Sequence, residues 1–183
     1  MIIPEKQNID LEENTILAVK SGILILEAKI RKKKFIVGII KEECVINLAF
    51  SNFKNIKLIA LTNCEINTIE KGVYFSSKDL LIKSLTRIDQ LEKLLTIREI
   101  NKSEEKLKEF LLYLSSIIGL KKDNHIYLNL KKYNFTQKLI GYSISTTRVT
   151  ITRGLKNLEK NGWLKLEKKG ILIPFKDNQP NLN

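Results

Sequence analysis

Residues 145–164 read STTRVTITRGLKNLEKNGWL, and this stretch decides how the last third of the chain folds. Apolar side chains recur in it three and four positions apart, at Ile151, Leu155 and Leu158. This spacing places them on one side of a helix and predicts that the helix is amphipathic. Two interpretations are open: a helix with an ordinary solvated basic face, or a helix that lies in a groove of DNA.

The residues that precede this helix favour the second interpretation. Thr136 is the expected N-cap of an earlier short helix, and either Ser145 or Thr146 is the expected N-cap of the later one. Gly141 is small enough to let the later helix cross closely, and Ile144 is expected to be buried in the turn. A small residue, a turn and apolar anchors at this spacing predict a helix-turn-helix.

The side chains around the apolar anchors are of the types that contact DNA. Arginine pairs with guanine through two hydrogen bonds, threonine bonds to bases or phosphates, and valine contacts the methyl group of thymine. Exposed lysines and hydroxyl groups suit phosphates. The candidate DNA-contacting residues are Thr136, Lys138, Thr146, Thr147, Arg148, Val149, Thr152, Arg153, Lys168 and Lys169.

The two lysines at the end of that set belong to the segment WLKLEKKGILIPF, residues 163–175. Two strand-like halves flank its Lys-Lys-Gly sequence, which predicts a β-hairpin wing. Residues 103–120 predict another helix, which Ser103 caps and Gly119 ends. Between them, KKDN at 121–124 is typical of a turn, and HIYLNL after it is typical of a strand.

The charge of the chain is concentrated in this same region. The 183 residues carry a net charge of +12. Residues 121–183 hold 13 Lys or Arg and 4 Asp or Glu, a net charge of +9, and the first 120 residues hold the remaining +3. A basic surface of this kind indicates a polyanionic partner, and its position points to the last third of the chain.

The first part of the chain has a different pattern of apolar residues. From Ile16 to about Tyr74, short apolar runs rich in β-branched residues predict a small antiparallel β domain. From Ser76, a stretch without Gly or Pro predicts a long helix, which Ser76 or Ser77 caps. A heptad-like series on this helix forms the candidate dimer interface: Leu81, Ile88, Leu91 and Leu95. The alternative is that the helix packs on its own β domain.

These patterns together predict an α+β chain of four parts. They are a small, truncated antiparallel β-roll of the effector type over 1–75, a long dimerisation helix over 76–102, a winged helix-turn-helix over 103–176 and a tail over 177–183.

The stretch from residue 136 to residue 173 resembles the winged-helix DNA-binding end of the Crp/Fnr transcription regulators. Within that family STTRVTITR, residues 145–153, is similar to the NtcA-type nitrogen-control branch of cyanobacteria and some plastids. Upstream, LIALTNCEI (58–66) looks like a strand of the family's roll, and LTRIDQLEKLL (85–95) like its long dimer helix. The first strands of the roll are expected to be missing.

The resemblance implies a homodimer that binds double-stranded promoter DNA at a palindromic site and recruits RNA polymerase, as an activator. Arg148, Val149 and Arg153 fall on the family's base-reading positions, and both arginines are expected to face one groove. The sequence departs from the family pattern at Ser145, where a turn glycine is usual, and Gly154 lies inside the helix. The cytoplasm (nucleoid) or the plastid stroma is the expected location.

The NtcA-type branch uses 2-oxoglutarate as its effector, and the resemblance carries its pocket onto Arg87, Glu92 and Lys54. Lysine keeps the charge of the family's second arginine but loses its two-pronged geometry. Asn47 stands where the family has a glycine. The Gly-Glu and Arg-x-Ala residues that hold a cyclic nucleotide are absent, as is the cysteine cluster of iron–sulfur sensors. A plain surface role for Arg87 and Glu92, and a ligand-independent regulator, stay open.

Other classes of function find less support in the sequence. No apolar run is long enough for a membrane span, and the acidic N-terminus lacks the features of a secretory signal. Cys44, Cys64 and the one histidine, His125, form no metal-ligand or catalytic pattern, so we expect neither an enzyme nor a metal site. Cys44 and Cys64 are expected to be buried. A basic RNA-binding module is the remaining alternative.

Overall fold

The computed structural model describes residues 1–30, 33–49, 51 and 55–174. The chain divides into two compact units, Met1–Leu94 and Leu95–Asn183, and the division falls inside the long helix. Among the described residues, no helix combines the length and apolar character that crossing a membrane requires.

The described residues of unit 1 form two four-stranded antiparallel sheets, which helical segments follow. The strands are β1 (Ile2–Ile3), β2 (Asn8–Leu11), β3 (Ile16–Ser21), β4 (Leu24–Ile30), β5 (Lys33–Ile40), β6 (Val45–Asn47), β7 (Ile56–Ala60) and β8 (Cys64–Thr68). One sheet has the order β1-β8-β3-β6 and the other the order β2-β7-β4-β5. The prediction of an antiparallel β-roll is confirmed.

The core of unit 1 is built from alternating positions of these strands. In β7, Ile56, Leu58 and Ala60 are buried while the residues between them are half-buried, as a strand with one face on a core requires. Side chains from both sheets form one apolar cluster, which includes Cys44 and Cys64. The prediction that both cysteines are buried is confirmed, and both are free thiols.

Three elements of unit 1 differ from the sequence prediction. Strands β1 and β2 lie in a segment for which no strand was expected, because β2 is only half-buried and lacks a clear apolar alternation. Helix α1 (Lys71–Ser76) replaces the end of the expected β region. Its Tyr74 is buried against Ile16 and Val45, and the Tyr74 hydroxyl donates to Ser84 Oγ at 2.8 Å. Tertiary packing therefore decides the conformation here.

The long helix α2 runs over Lys78–Glu99. Ser77 precedes it, and Ser77 Oγ accepts a hydrogen bond from the Leu80 amide at 3.3 Å, which fits an N-cap. The alternative cap, Ser76, is instead the last residue of α1. An ion pair one turn apart joins Asp79 to Lys83 at 2.9 Å, and this hydrogen bond and charge raise the pKa of Lys83.

Besides the end of α2, the described residues of unit 2 form three helices and one sheet. They are α3 (Ser103–Ile118), β9 (Gly119–Lys122), β10 (His125–Leu128), α4 (Gln137–Ser143), α5 (Arg148–Lys160), β11 (Lys165–Glu167) and β12 (Gly170–Pro174). The sheet has the order β11-β12-β10-β9. The mixed α+β architecture is confirmed, and so is the strand in HIYLNL.

Two local predictions in unit 2 are wrong. The N-cap of α3 is Lys102, whose side chain makes no capping hydrogen bond, and Ser103 is the first helical residue. Lys121 and Lys122, which were expected in the turn at 121–124, belong instead to strand β9, because β9 pairs with β10 along its whole length. Gly119 does follow the last residue of α3 as predicted.

Candidate nucleic-acid interface

Helix α5 is held in unit 2 by one apolar face. Ile151, Leu155 and Leu158 are all buried, as their spacing predicted. Helix α3 packs against α5, and a Cβ atom on Gly154 would lie 2.9 Å from Leu107 Cδ2. Close packing on Leu107 therefore explains a glycine inside this helix.

The turn between α4 and α5 matches the helix-turn-helix prediction closely. Ile144 is fully buried. A Cβ atom on Gly141 would lie 3.0 Å from the carbonyl oxygen of Thr146, so a small residue is required where the two helices meet. Ser145 has φ +57°, the left-handed conformation for which the family's glycine is suited.

The cap of α5 lies one residue later than predicted. The N-cap is Thr147, and Thr147 Oγ1 accepts from the Thr150 amide at 3.2 Å. The expectation that Ser145 or Thr146 caps the helix is wrong, because both residues belong to the turn. The first cap is as predicted: Thr136 Oγ1 accepts from the Leu139 amide at 3.1 Å.

The start of α5 presents two arginines and a valine to solvent. Arg148 is the first helical residue, and Arg148 and Arg153 are both exposed. Val149 is 58% exposed, although an apolar β-branched residue on a helix is usually drawn into a core. The two arginines lie roughly 140° apart around the helix axis and about 7.5 Å apart along it, so they do not share one narrow face.

Thr152 occupies a different position from its neighbours on α5. It is half-buried, and Thr152 Oγ1 lies 2.6 Å from Gln137 Oε1 and 3.0 Å from the Arg148 carbonyl oxygen. A hydroxyl donates only one proton, so these two acceptors share it. Thr152 thereby ties α5 to the first turn of α4, which makes it a support of the exposed residues.

The β-hairpin after α5 is the predicted wing. Strands β11 and β12 pair in the register Glu167↔Gly170, which leaves Lys168 and Lys169 exposed at the turn. The Leu166 amide donates to Glu159 Oε1 at 2.8 Å and so joins the wing to the end of α5. The exposed cations of α4, α5 and the wing are Lys138, Arg148, Arg153, Lys156, Lys160, Lys165, Lys168 and Lys169.

The sequence of residues 105–177 matches the model of the Crp-like helix-turn-helix domain. Residues 105–177 are therefore similar to that domain and are called the Crp-like domain. It comprises nearly all of α3, the two helices of the motif and the wing. No curated protein matches the sequence of the chain at a significant level.

Solved structures extend the likeness to both units. The Crp-family transcriptional regulator TTHB099 of Thermus thermophilus is 11% identical, with a TM-score of 0.75 over 96% of this chain and 92% of that one. A CooA mutant of Carboxydothermus hydrogenoformans is 19% identical, with a TM-score of 0.74 over 95% and 82%. FixK2 of Bradyrhizobium japonicum is 13% identical, with a TM-score of 0.74 over 96% and 91%. The chain therefore has the fold of the Crp/Fnr-family regulators.

Within the Crp-like domain, sequence reasoning missed two residues of the surface. Lys156 is exposed three residues after Arg153 and seven after Val149, a helical spacing that could have revealed it. Gln137 is the partner of Thr152. Fifteen residues separate the two in sequence, and only the crossing of the helices brings them together.

The candidate dimer residues outside the Crp-like domain lie along α2. Ile88 is 53% exposed and Leu95 is 49% exposed, and Leu81 is exposed as well. Leu91 differs, because it is half-buried and packs against the apolar cluster of unit 1. Leu85, at 59%, is the most exposed leucine of the helix, and the heptad series omitted it. The apolar stripe of α2 is defined here as Leu81, Ile82, Leu85, Ile88 and Leu95.

The candidate effector residues are brought together only in part. Arg87 lines a cavity of about 660 Å³ in unit 1. Its guanidinium lies on the backbone of β5, since a Cβ atom at Gly38 would be 3.1 Å from Arg87 Cζ. Glu92 is exposed and is not part of the cavity wall. Lys54 lies outside the described residues.

The wall of this cavity is mostly apolar. Nine of its lining residues are leucine or isoleucine. The polar lining residues are Asn47, Ser51, Tyr74, Lys78, Ser84 and Arg87. The cavity thus offers two cationic groups and several hydrogen-bonding groups around a large apolar surface. Among the described residues, His, Cys, Asp and Glu form no group of three that could hold a metal ion.

Proposed function

We propose that this protein is a sequence-specific, DNA-binding transcription regulator that works as a homodimer. The observation that carries the proposal is the start of α5, where Arg148, Val149 and Arg153 are exposed on a helix whose opposite face is anchored in a Crp-like domain. Such a helix end is what enters the major groove in helix-turn-helix proteins. The proposed activity is binding and involves no catalysis.

In the proposed complex the N-terminal end of α5 points into the major groove. A helix that enters by its end has groove walls on several sides, so the wide angle between Arg148 and Arg153 suits contacts with two different bases. Each arginine pairs with a guanine, and Val149 contacts a thymine methyl group. Thr152 acts by holding α5 in place, through Gln137.

Phosphate contacts are proposed for the residues that surround this helix end. Positive side chains and hydroxyl groups there position the domain on the duplex without reading its sequence. They are Thr136, Lys138, Thr146, Thr147, Lys156, Lys168 and Lys169. Thr136 and Thr147 also cap α4 and α5, where each hydroxyl oxygen accepts a hydrogen bond from one amide of the first helical turn.

The homodimer is proposed from the apolar stripe of α2. Large apolar side chains that follow one another along a helix and remain about half exposed usually mark an interaction site. A second copy of the same stripe is the simplest partner, because a two-fold axis lets each residue contact its equivalent. Two copies present two α5 helices, which favours a palindromic promoter site.

Finer features of the proposal rest on the resemblance to the NtcA-type branch. They are a role in nitrogen control, activation through contact with RNA polymerase, and action in the nucleoid or the plastid stroma. The same resemblance suggests 2-oxoglutarate as effector, which Arg87 in the cavity wall supports and Glu92 outside it does not.

The cavity of unit 1 favours a regulator that responds to a ligand. Its wall suits an organic anion with an apolar body, since Arg87 and Lys78 supply positive charge and nine leucine or isoleucine residues supply apolar surface. Four residues belong both to this wall and to the apolar stripe: Leu81, Ile82, Leu85 and Ile88. A second copy seated on the stripe would therefore cover the cavity.

Selection from a random pool of duplexes tests the DNA-binding function. We expect the purified chain to enrich a palindromic sequence, and to bind it with an affinity that falls steeply as salt rises. A parallel pool of RNA is the control for the RNA-binding alternative. Enrichment of RNA alone, or of no duplex, contradicts the proposal.

Titration calorimetry tests the effector. Heat from 2-oxoglutarate binding with wild type and none with Arg87→Ala supports the 2-oxoglutarate version. If neither protein gives heat, an aromatic carboxylate is the next probe, since it combines an anionic group with an apolar body. Absence of heat from both compounds favours the ligand-independent regulator.

A further inference from the structure

Arg98 lies in the last turn of α2, within unit 2, and contacts the end of α4. Arg98 Nε donates a hydrogen bond to the Ser143 carbonyl oxygen at 2.9 Å. Ser143 is the last residue of α4 and is fully buried. The Arg98 side chain is half-buried, and this burial lowers the pKa of its guanidinium. An arginine withdrawn from water in this way is placed to serve a specific contact.

The Ser143 carbonyl is one of the groups that a helix end leaves without a partner inside the helix. The three carbonyl oxygens before it accept from amides of the following turn. Ile140 accepts from Ile144, Gly141 from Thr146 and Tyr142 from Ser145. The Ser143 carbonyl receives the Arg98 guanidinium, whose positive charge also suits the negative end of the helix.

The backbone of Arg98 is held from the other side. Lys106 Nζ donates to the Arg98 carbonyl oxygen at 2.6 Å, and Lys106 belongs to α3. Leu107, the next residue of α3, packs on Gly154 of α5. Arg98 therefore stands between the helix that supports α5 and the turn from which α5 begins.

We propose that Arg98 is a positioning residue for DNA recognition: it fixes the end of α4, and with it the turn that aims Thr147 and Arg148. Arg98 makes no contact with DNA in this proposal. The proposed role of Arg98 rests on the DNA-binding function proposed above. Because α2 continues to Glu99, the bond from Arg98 to Ser143 also attaches the last turn of α2 to α4.

The test compares operator binding of Arg98→Lys, Arg98→Gln and Arg98→Met with the wild type. The control for the loss of charge alone is Lys102→Met, since Lys102 is exposed and its side chain caps nothing. Dissociation constants are measured for the selected operator and for a random duplex, and sedimentation checks the mass of each variant. Fluorescence of Trp163, the one tryptophan, checks that unit 2 is folded.

We expect Arg98→Met to weaken operator binding roughly tenfold, with a much smaller effect on the random duplex. Arg98→Lys should recover most of the loss, because it keeps a charged donor. An unchanged operator affinity for Arg98→Met overturns the proposal. Lys102→Met should change the affinity for both duplexes equally, because it removes only a charge. If Arg98→Met also weakens binding to both duplexes equally, the proposal is overturned as well. If Arg98→Met does not fold, Arg98→Gln is judged by the same two results.

Hydrogen exchange separates a failure of this proposal from a failure of the DNA-binding function. If the wild type selects no duplex, the DNA-binding function fails and the role of Arg98 is judged on the turn alone. Arg98→Met should then speed exchange of the Thr146 amide, which bonds to the Gly141 carbonyl at 2.8 Å. Unchanged exchange at Thr146 overturns the positioning role.

Discussion

Replacing Ser145 with glycine should stabilise unit 2. Ser145 has φ +57° in the turn before α5, and this conformation costs an L-residue roughly 1–2 kcal/mol. Glycine avoids that cost but loses more backbone freedom on folding, which offsets about 0.5–1 kcal/mol. We therefore expect a net gain of roughly 0.5–1 kcal/mol in the free energy of unfolding.

Urea unfolding followed by the fluorescence of Trp163 measures this gain, because the tryptophan lies in unit 2. The Nζ atom of Lys108 lies 5.7 Å from the centroid of the Trp163 ring. With a urea dependence of about 2 kcal/mol per M, the unfolding midpoint should rise by roughly 0.3–0.5 M.

Gly162 provides the matched control for this substitution. It has φ +68°, and a Cβ atom there would meet nothing within 4 Å, so Gly162→Ala changes the backbone preference without a clash. Its midpoint should fall by a similar amount. If the urea midpoint falls for Ser145→Gly as it does for Gly162→Ala, Ser145 does not have the left-handed conformation.

Three further substitutions test other parts of the account. Leu85→Glu should convert the proposed dimer to a monomer in sedimentation without loss of folding, because Leu85 is 59% exposed; an unchanged mass would exclude the apolar stripe as the interface. Leu91→Glu should instead destabilise unit 1 by several kcal/mol, as a charge placed against the apolar cluster requires, which thermal unfolding measures. Thr147→Ala should cost about 1 kcal/mol in urea unfolding through loss of the α5 cap, and an effect below a few tenths would contradict the capping bond.

The helix-turn-helix was the part of the fold that the sequence predicted best. Its signals are local: buried Ile151, Leu155 and Leu158 follow helical spacing, and the small Gly141 precedes the turn. Each of these residues acts within a few positions of its neighbours in sequence. Local pattern is sufficient for such elements.

The contacts that the sequence does not reveal join residues that are distant along the chain. By sequence alone Gly154 is expected to weaken its helix, whereas in the structure Leu107 packs against it. Leu91 fits a heptad as well as Leu95 does, and only the fold shows that it packs on the β-sheets. Thr152 reads as a groove residue until its bond to Gln137 is known. Spacing predicts which face a residue occupies, whereas its partner on that face is decided by tertiary structure.

The most direct test of the central claim is the discrimination that Arg148 confers at the selected operator. Dissociation constants of wild type and Arg148→Ala are measured on that operator and on one with a single base pair changed in both half-sites. We predict that wild type prefers the intact operator, and that Arg148→Ala loses about 1–3 kcal/mol of this preference at one base pair of each half-site. If Arg148→Ala instead weakens binding to both duplexes equally, Arg148 contacts only phosphate, and α5 does not read sequence through it.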